Sequence, residues 1–204
     1  MMPGTFIVLD GPDATGTSTH ARLLAERLHS EGHDVLLTSE PTDGPVGKQI
    51  RQYLSTGEAD PLELQMLFTE DRAWHVEHVI APALAEGKIV ICDRYSPSTI
   101  VYAGAQGLPS SQITLLNTKF VQPDCTIFTL PPLEVAMRRL AKRAQKEIFE
   151  REEFQQKIHE GYLAYAKANP GVRVVDTSGE KTEVAEQIWG IVKSILSARK
   201  RSMN

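Results

Sequence analysis

The chain has 204 residues, 41% hydrophobic and 24% charged, which suits one globular domain with a full core and excludes default disorder or a low-complexity scaffold. Its 22 Lys and Arg against 26 Asp and Glu give a formal charge of −4, a poor balance for broad binding to nucleic acid or anionic membrane, though not for one local phosphate pocket. No apolar run reaches about 18 residues and the N-terminus lacks a signal-type region. Two cysteines, Cys92 and Cys125, cannot build a disulfide framework. Reduced thiols, no membrane span and a cytoplasmic location are expected.

In chain order, Thr5 to Leu9 is a strand, broken by Gly11-Pro12-Asp13, and Ser18 to His29 is a helix with Leu23, Leu24 and Leu28 on one side. Asp34 to Thr38 is a second strand. Gly44 to Leu54 and Pro61 to Glu86 read as helices, the latter interrupted by Pro82. Ile89 to Cys92, Thr126 to Leu130 and Val172 to Val175 are further strands. Helices fall at Pro97 to Ala105, Ser110 to Phe120, Leu133 to Ala144, Glu152 to Ala168 and Lys181 to Ala198. Strands apolar on both faces and separated by helices predict an α/β fold: a doubly wound, five-stranded parallel sheet with helices on both faces, in one domain over 1–204. Ligands of such sheets bind beyond the carboxyl ends of the strands.

The first such turn reads Gly11-Pro12-Asp13-Ala14-Thr15-Gly16-Thr17-Ser18-Thr19. Both glycines and Ser18 match a phosphate-binding loop of the P-loop type, but Thr17 occupies the lysine position. The glycines let the backbone wrap a phosphate, the following helix aims N–H groups at it, and Ser18 can offer a hydroxyl to Mg2+. Asp93 and Arg94 close the third strand. There Asp93 is placed for Mg2+ or its waters and Arg94 for bridging phosphates; the alternative is a surface salt bridge. Phe68 and Arg72 share a helical face, suited to stacking a base and bonding its edge, or else to core and solvated surface. His75 and His78 lack the further ligands of a metal site. Met137, Trp74 and Trp189 read as packing residues. Arg138, Arg139, Lys142, Arg143 and Lys146, followed by the acidic run Glu147 to Glu153, form either a solvated helix face or a lid carrying cations.

Together these signals resemble the thymidylate kinase family of P-loop nucleoside monophosphate kinases. The resemblance runs from Phe6 to about Leu196 and rests on the loop containing Asp13, Glu40-Pro41, Leu67-Phe68 with Asp71-Arg72, Asp93-Arg94-Tyr95 with Ser98 and Tyr102, and Val175-Asp176. It implies transfer of the γ-phosphoryl group of ATP to dTMP with Mg2+, giving dTDP. ATP would lie on Gly11 to Thr19, with Arg143 and Asp176. Asp13 would reach the acceptor's 3′-hydroxyl, Phe68 would stack on thymine and Arg72 would bond its edge. Arg94, helped by Arg51, would hold the acceptor phosphate. Ser98 and Thr99 would line the acceptor site, Tyr102 would disfavour a 2′-hydroxyl, and Ser18 and Asp93 would hold Mg2+. A lid would run over about 142–153, and a homodimer is implied.

The sequence departs from the family where phosphate meets cations. Thr17 replaces the loop lysine, Ala14 and Ile148 stand where some members carry arginine, and Ser39 precedes Glu40-Pro41. Arg143 and Arg139 are the expected compensating catalytic cations, with Lys142 and Lys146 as further candidates. The competing readings are a nucleotide-binding protein with little kinase activity and a kinase for another deoxynucleotide or deoxynucleoside.

Overall fold

The computed structural model describes residues 4–56, 60–142 and 152–202. Five strands, β1 (Thr5–Asp10), β2 (Val35–Ser39), β3 (Ile89–Asp93), β4 (Cys125–Thr129) and β5 (Arg173–Val175), form one sheet in the order β2-β3-β1-β4-β5. All neighbours are parallel, with Ile7 opposite both Ile91 and Cys125. The predicted strands are all present, each displaced by no more than one residue at an end. Around them lie α1 (Thr17–Ser30), α2 (Pro45–Thr56), α3 (Pro61–His75), α4 (Ala81–Ala85), α5 (Ser96–Ala105), α6 (Ser110–Asn117), α7 (Leu133–Leu140), α8 (Glu152–Ala168) and α9 (Lys181–Ser202).

Strand alternation sorts the core into two faces. Ile7, Leu9, Ile91 and Ile127 meet Leu24 and Leu28 of α1 and Ile188 and Val192 of α9. Phe6, Val8 and Val90 face the other way, against Ile80, Tyr95 and Phe120. Phe128, near the end of β4, and Leu130, just past it, join Leu64, Val101, Ile158 and Tyr162 in a further cluster that backs the site. Cys92 and Cys125 are buried free thiols in β3 and β4, which β1 separates.

Four helical segments differ from expectation, α9 by running on to Ser202, four residues past the expected Ala198. Pro82 does not break the α3–α4 run. A π-helical turn, Val76–Ile80, joins the two helices, and the Ala81 N–H bonds back to Val76 O. A proline just past such a widened turn has no N–H to leave unpaired. Helix α6 ends at Asn117, before Phe120 turns into the core. Helix α7 ends at Leu140, and the expected lid falls mostly on 143–151, outside the described residues, together with Arg143, Lys146, Glu147 and Ile148.

Candidate active site

The turn after β1 wraps tightly. Gly16 has φ 93°, a left-handed conformation that suits glycine, and a Cβ on Gly11 would lie 2.6 Å from both the carbonyl and the hydroxyl of Thr129. Thr17 turns inward: its Oγ1 is 2.8 Å from Thr129 Oγ1 and 3.4 Å from Thr15 Oγ1. The residue at the lysine position therefore lies buried beneath the loop and lines neither of the two cavities that flank it. Ala14 at φ 61° and Arg94 at φ 69° are the non-glycine residues held in the left-handed region among the described residues. Each costs about 1–2 kcal/mol, and each sits beside one of those cavities.

The first cavity, about 330 Å³, opens at the carboxyl ends of β1, β2 and β3. It brings together Asp13 and Ser18 from the loop, Arg51 from α2, Phe68 and Arg72 from α3, Asp93 and Arg94 from the end of β3, and Ser98, Thr99 and Tyr102 from α5. Arg94 is fixed from three sides. Its Nη1 donates to Gly11 O (2.9 Å) and Ser98 Oγ (3.2 Å), and its Nη2 to Asp13 Oδ1 (2.6 Å). Tyr102 donates its hydroxyl to the other oxygen of Asp13 at 2.9 Å. Asp13 thus joins a cation from β3 to a phenol from α5.

Beneath them Asp10, fully buried, accepts from Gly11 N, Ser98 Oγ and Tyr162 Oη on Oδ1, and from Tyr95 N and Ser98 N on Oδ2. It caps α5 and ties that helix to the phosphate loop. Beside it, burial raises the pKa of Asp93 above the ordinary carboxylate value, opposed by Arg94 and by a hydrogen bond with Ser18. Asp93 Oδ1 is buried and has no hydrogen-bond partner. A buried, unpartnered carboxylate oxygen next to a serine hydroxyl is a donor set that fits Mg2+.

Arg72 lies 1% exposed, so it is not solvated surface. Its Nη2 donates to Glu40 Oε2 (2.6 Å) and Thr99 Oγ1 (2.9 Å), its Nη1 to Asn117, and its guanidinium packs over the rings of Tyr95 and Phe120. Glu40 also meets His75 Nδ1 at 3.0 Å, while Thr38 Oγ1 lies 2.7 Å from His75 Nε2. The ligand atoms of Glu40, His75 and Cys92 lie within 4.8 Å of one another. Both ring nitrogens of His75 are already engaged, so the group works as a buttress for Arg72. His78 is exposed and stacks on Trp74. Phe68 is half-buried, one edge of it in the apolar cluster and the rest at the cavity. Next to Arg72 in sequence, Asp71 accepts from Thr42 N and Thr42 Oγ1, pinning the loop whose carbonyls at Pro41 and Thr42 receive the guanidinium of Arg51.

A second cleft, also about 330 Å³, lies on the other side of the loop. Ala14, Thr15, Gly16, Thr19 and His20 line it, with Arg139 from α7 and Thr177, Gly179 and Lys181 from the turn after β5. Arg139 donates to Thr177 O at 2.7 Å. Asp176 stands outside the lining, exposed, with its Oδ1 accepting from Ser178 N.

Several residues of the two cavities escaped sequence reasoning. Gln65 lies one turn before Phe68 on the same face of α3, so the spacing that singled out Phe68 and Arg72 already contained it. Lys181 follows the last strand, where ligand contacts concentrate. His20 had no local signal, and neither did Asn117, which lines neither cavity but holds Arg72.

A family model described as thymidylate kinase matches residues 9–188. A probable thymidylate kinase of Pyrococcus horikoshii is 38% identical over 199 residues, covering 94% of this chain and 97% of that protein. One from Thermococcus onnurineus is 39% identical over 204 residues, covering 95% and 100%. A thymidylate kinase of a Synechococcus strain is 40% identical over 194 residues, covering 92% and 94%. With a phosphate loop after β1, an Asp-Arg pair at the end of β3 and likeness across nearly its whole length, the chain belongs to the thymidylate kinase family.

Proposed function

We propose that the protein transfers the γ-phosphoryl group of ATP to dTMP, giving dTDP and ADP, with dTMP in the first cavity and the ATP phosphates across the loop from Gly11 to Thr19. The observation that supports this reading best is the convergence of Asp13, Asp93, Arg94, Phe68 and Arg72 on one cavity of nucleotide size. Phosphoryl transfer depends on positioning and charge neutralisation, and the acceptor phosphate is itself the nucleophile.

In this reading Arg94 and Arg51 hold the acceptor phosphate, Asp13 the 3′-hydroxyl, and Tyr102 closes the space a 2′-hydroxyl needs. Phe68 stacks on the base. Two buried atoms without partners, Arg72 Nε and Gln65 Oε1, offer a donor and an acceptor at the same cavity, matching the 4-oxygen and the N3–H of thymine. Thr99 orients Arg72, and Ser98 orients Arg94. Ser18 and Asp93 would hold Mg2+, which neutralises charge on the transferring phosphoryl group. Arg139 would supply a cation on the other side, together with Arg143, which lies outside the described residues. A single kinase domain with a lid over about 142–153 fits the same scheme.

A homodimer in the cytoplasm completes the proposal. Leu62 and Met66, one turn apart on α3, are 49% and 45% exposed and offer an apolar surface for the second copy. No described helix is long and apolar enough to cross a membrane.

The test is ADP release with dTMP, dUMP, dCMP, dGMP and thymidine as acceptors. Turnover highest with dTMP is expected. Tight binding of ATP and dTMP with no dTDP at high enzyme concentration would establish the binding-protein reading, which the buried position of Thr17 favours.

A further inference from the structure

We propose that Gln106, which lines neither cavity, is a positioning residue for base selection: it pins the amide of Gln65 so that the carbonyl oxygen, and not the NH2 group, faces the ring nitrogen of the acceptor base. The proposal rests on the acceptor reading of the first cavity. Gln65 is fully buried and lines that cavity. Its Nε2 donates to Gln106 Oε1 at 2.6 Å, while its Oε1 has no partner. Arg72, seven residues on and two turns along the same face of α3, lines the same cavity and leaves its Nε without a partner. One wall thus presents one open acceptor and one open donor, both buried, and a ligand edge with a donor beside an acceptor satisfies both.

Thymine carries that edge as N3–H beside the 4-oxygen, whereas cytosine carries the reverse, a bare N3 beside an amine. Arg72 can only donate, but an amide that turns over exchanges its donor and acceptor ends. Selection against the reverse edge therefore needs a group that holds Gln65. Gln106 is placed to do so. It caps α5, and the backbone there is fixed: Gln106 N–H donates to Tyr102 O (3.0 Å), Gly107 N–H to Gly104 O (3.0 Å) and Leu108 N–H to Ala103 O (2.9 Å), with Gly107 at φ 83°. From this anchored end the half-buried side chain reaches across to α3. Turning both amides over would aim the NH2 group of Gln65 into the cavity that already holds the guanidinium of Arg72. The field of that cation favours the carbonyl end of the amide, which is the orientation observed. Tyr102, one turn before Gln106 on α5, meets Asp13, so the helix that carries the sugar contact also carries the brace of the base contact.

The test is calorimetric titration of the full chain with dTMP and with 5-methyl-dCMP, which differ only on the edge that Gln65 and Arg72 face, for the native protein, Gln106→Leu and Gln106→Glu. The native protein should prefer dTMP by about a hundredfold or more. Gln106→Leu should cut that preference about tenfold, by weakening dTMP and strengthening 5-methyl-dCMP, with ATP affinity and melting midpoint unchanged. Gln106→Glu, whose carboxylate can only accept, should keep the preference within about threefold of the native value. An unchanged preference in Gln106→Leu, or the same loss in both variants, would overturn the proposal and leave the acceptor reading standing. A native protein that binds the two nucleotides equally, or neither of them, would overturn both.

Discussion

The two cavities flanking the phosphate loop have the same size and opposite construction. In the first, each arginine is held by an acid from another element: Arg94 by Asp13, Arg72 by Glu40, Arg51 by Asp43. In the second, Arg139 and Lys181 meet no carboxylate among the described residues, and much of the wall is loop backbone. The first cavity therefore pays for its geometry in advance and is rigid before a ligand arrives. The second keeps its cations open to whatever anion or base enters. Preorganisation of that kind gives selectivity on the first side, and open charge gives affinity on the second.

The largest break in this contrast comes from Arg94→Ala, which removes a cation from the first cavity and leaves Asp13 with Tyr102 alone. We expect kcat/KM for dTMP to fall by about 10³ or more, the scale of losing one transition-state arginine, while ATP affinity measured without dTMP holds. A loss below tenfold would remove Arg94 from the acceptor phosphate.

Asp93→Asn should be next, lowering activity by roughly 10² if Asp93 binds or orients Mg2+. Its effect on stability has the opposite sign. Burial raises the pKa of Asp93, so between the ordinary carboxyl value and the raised one the folded protein keeps a proton that the unfolded chain has lost. Stability from this group falls as pH rises through that window, and above it the charged, buried carboxylate is a net cost. Asp93→Asn should thus melt at or above the native temperature at pH 7, and the difference should vanish below about pH 4, where both states are protonated. A clearly lower midpoint at pH 7 would mean that the bonds to Ser18 and Arg94 outweigh burial.

Phe68→Ala is expected to raise KM for dTMP about tenfold through lost stacking, with ATP affinity unchanged. Equal weakening of both nucleotides would assign Phe68 to the apolar cluster alone. This residue marks the limit of what the sequence discloses. The five strands were legible because short stretches rich in Val, Ile, Leu and Phe recur between turns and helices, and Phe68 with Arg72 because they lie one turn apart. The burial of Arg72 was not legible. Its charge points to solvent, and what holds it inside is Glu40, 32 positions away, and Asn117, 45 away, pairings that no local period encodes. Asp10 escaped for the same reason: four of its five donors come from α5, the residue before it, and α8. The π-helical turn hid behind Pro82, whose ordinary effect is to stop a helix.

The smallest expected effect concerns the position where the loop lysine is missing. Read from the sequence, Thr17→Lys restores a cation to the β- and γ-phosphates. In the structure the Thr17 side chain points under the loop, and its hydroxyl bonds with Thr129, which also bonds with Thr15 and packs against Gly11. A lysine there has to swing out of a buried site and leaves the Thr129 hydroxyl with one partner fewer. Loss of about 1 kcal/mol of stability is expected, the scale of one buried hydrogen bond. Activity should change by less than about threefold, because the added cation and the disturbed loop act in opposite directions. Thr129→Ala removes the hydroxyl that anchors Thr17 and relaxes the contact with Gly11, so the pair Thr17→Lys with Thr129→Ala should recover activity that the single change does not. If Thr17→Lys alone raises kcat tenfold or more, the lysine seats freely, the second cavity's open cations were insufficient, and the contrast between the two sides narrows to one missing charge.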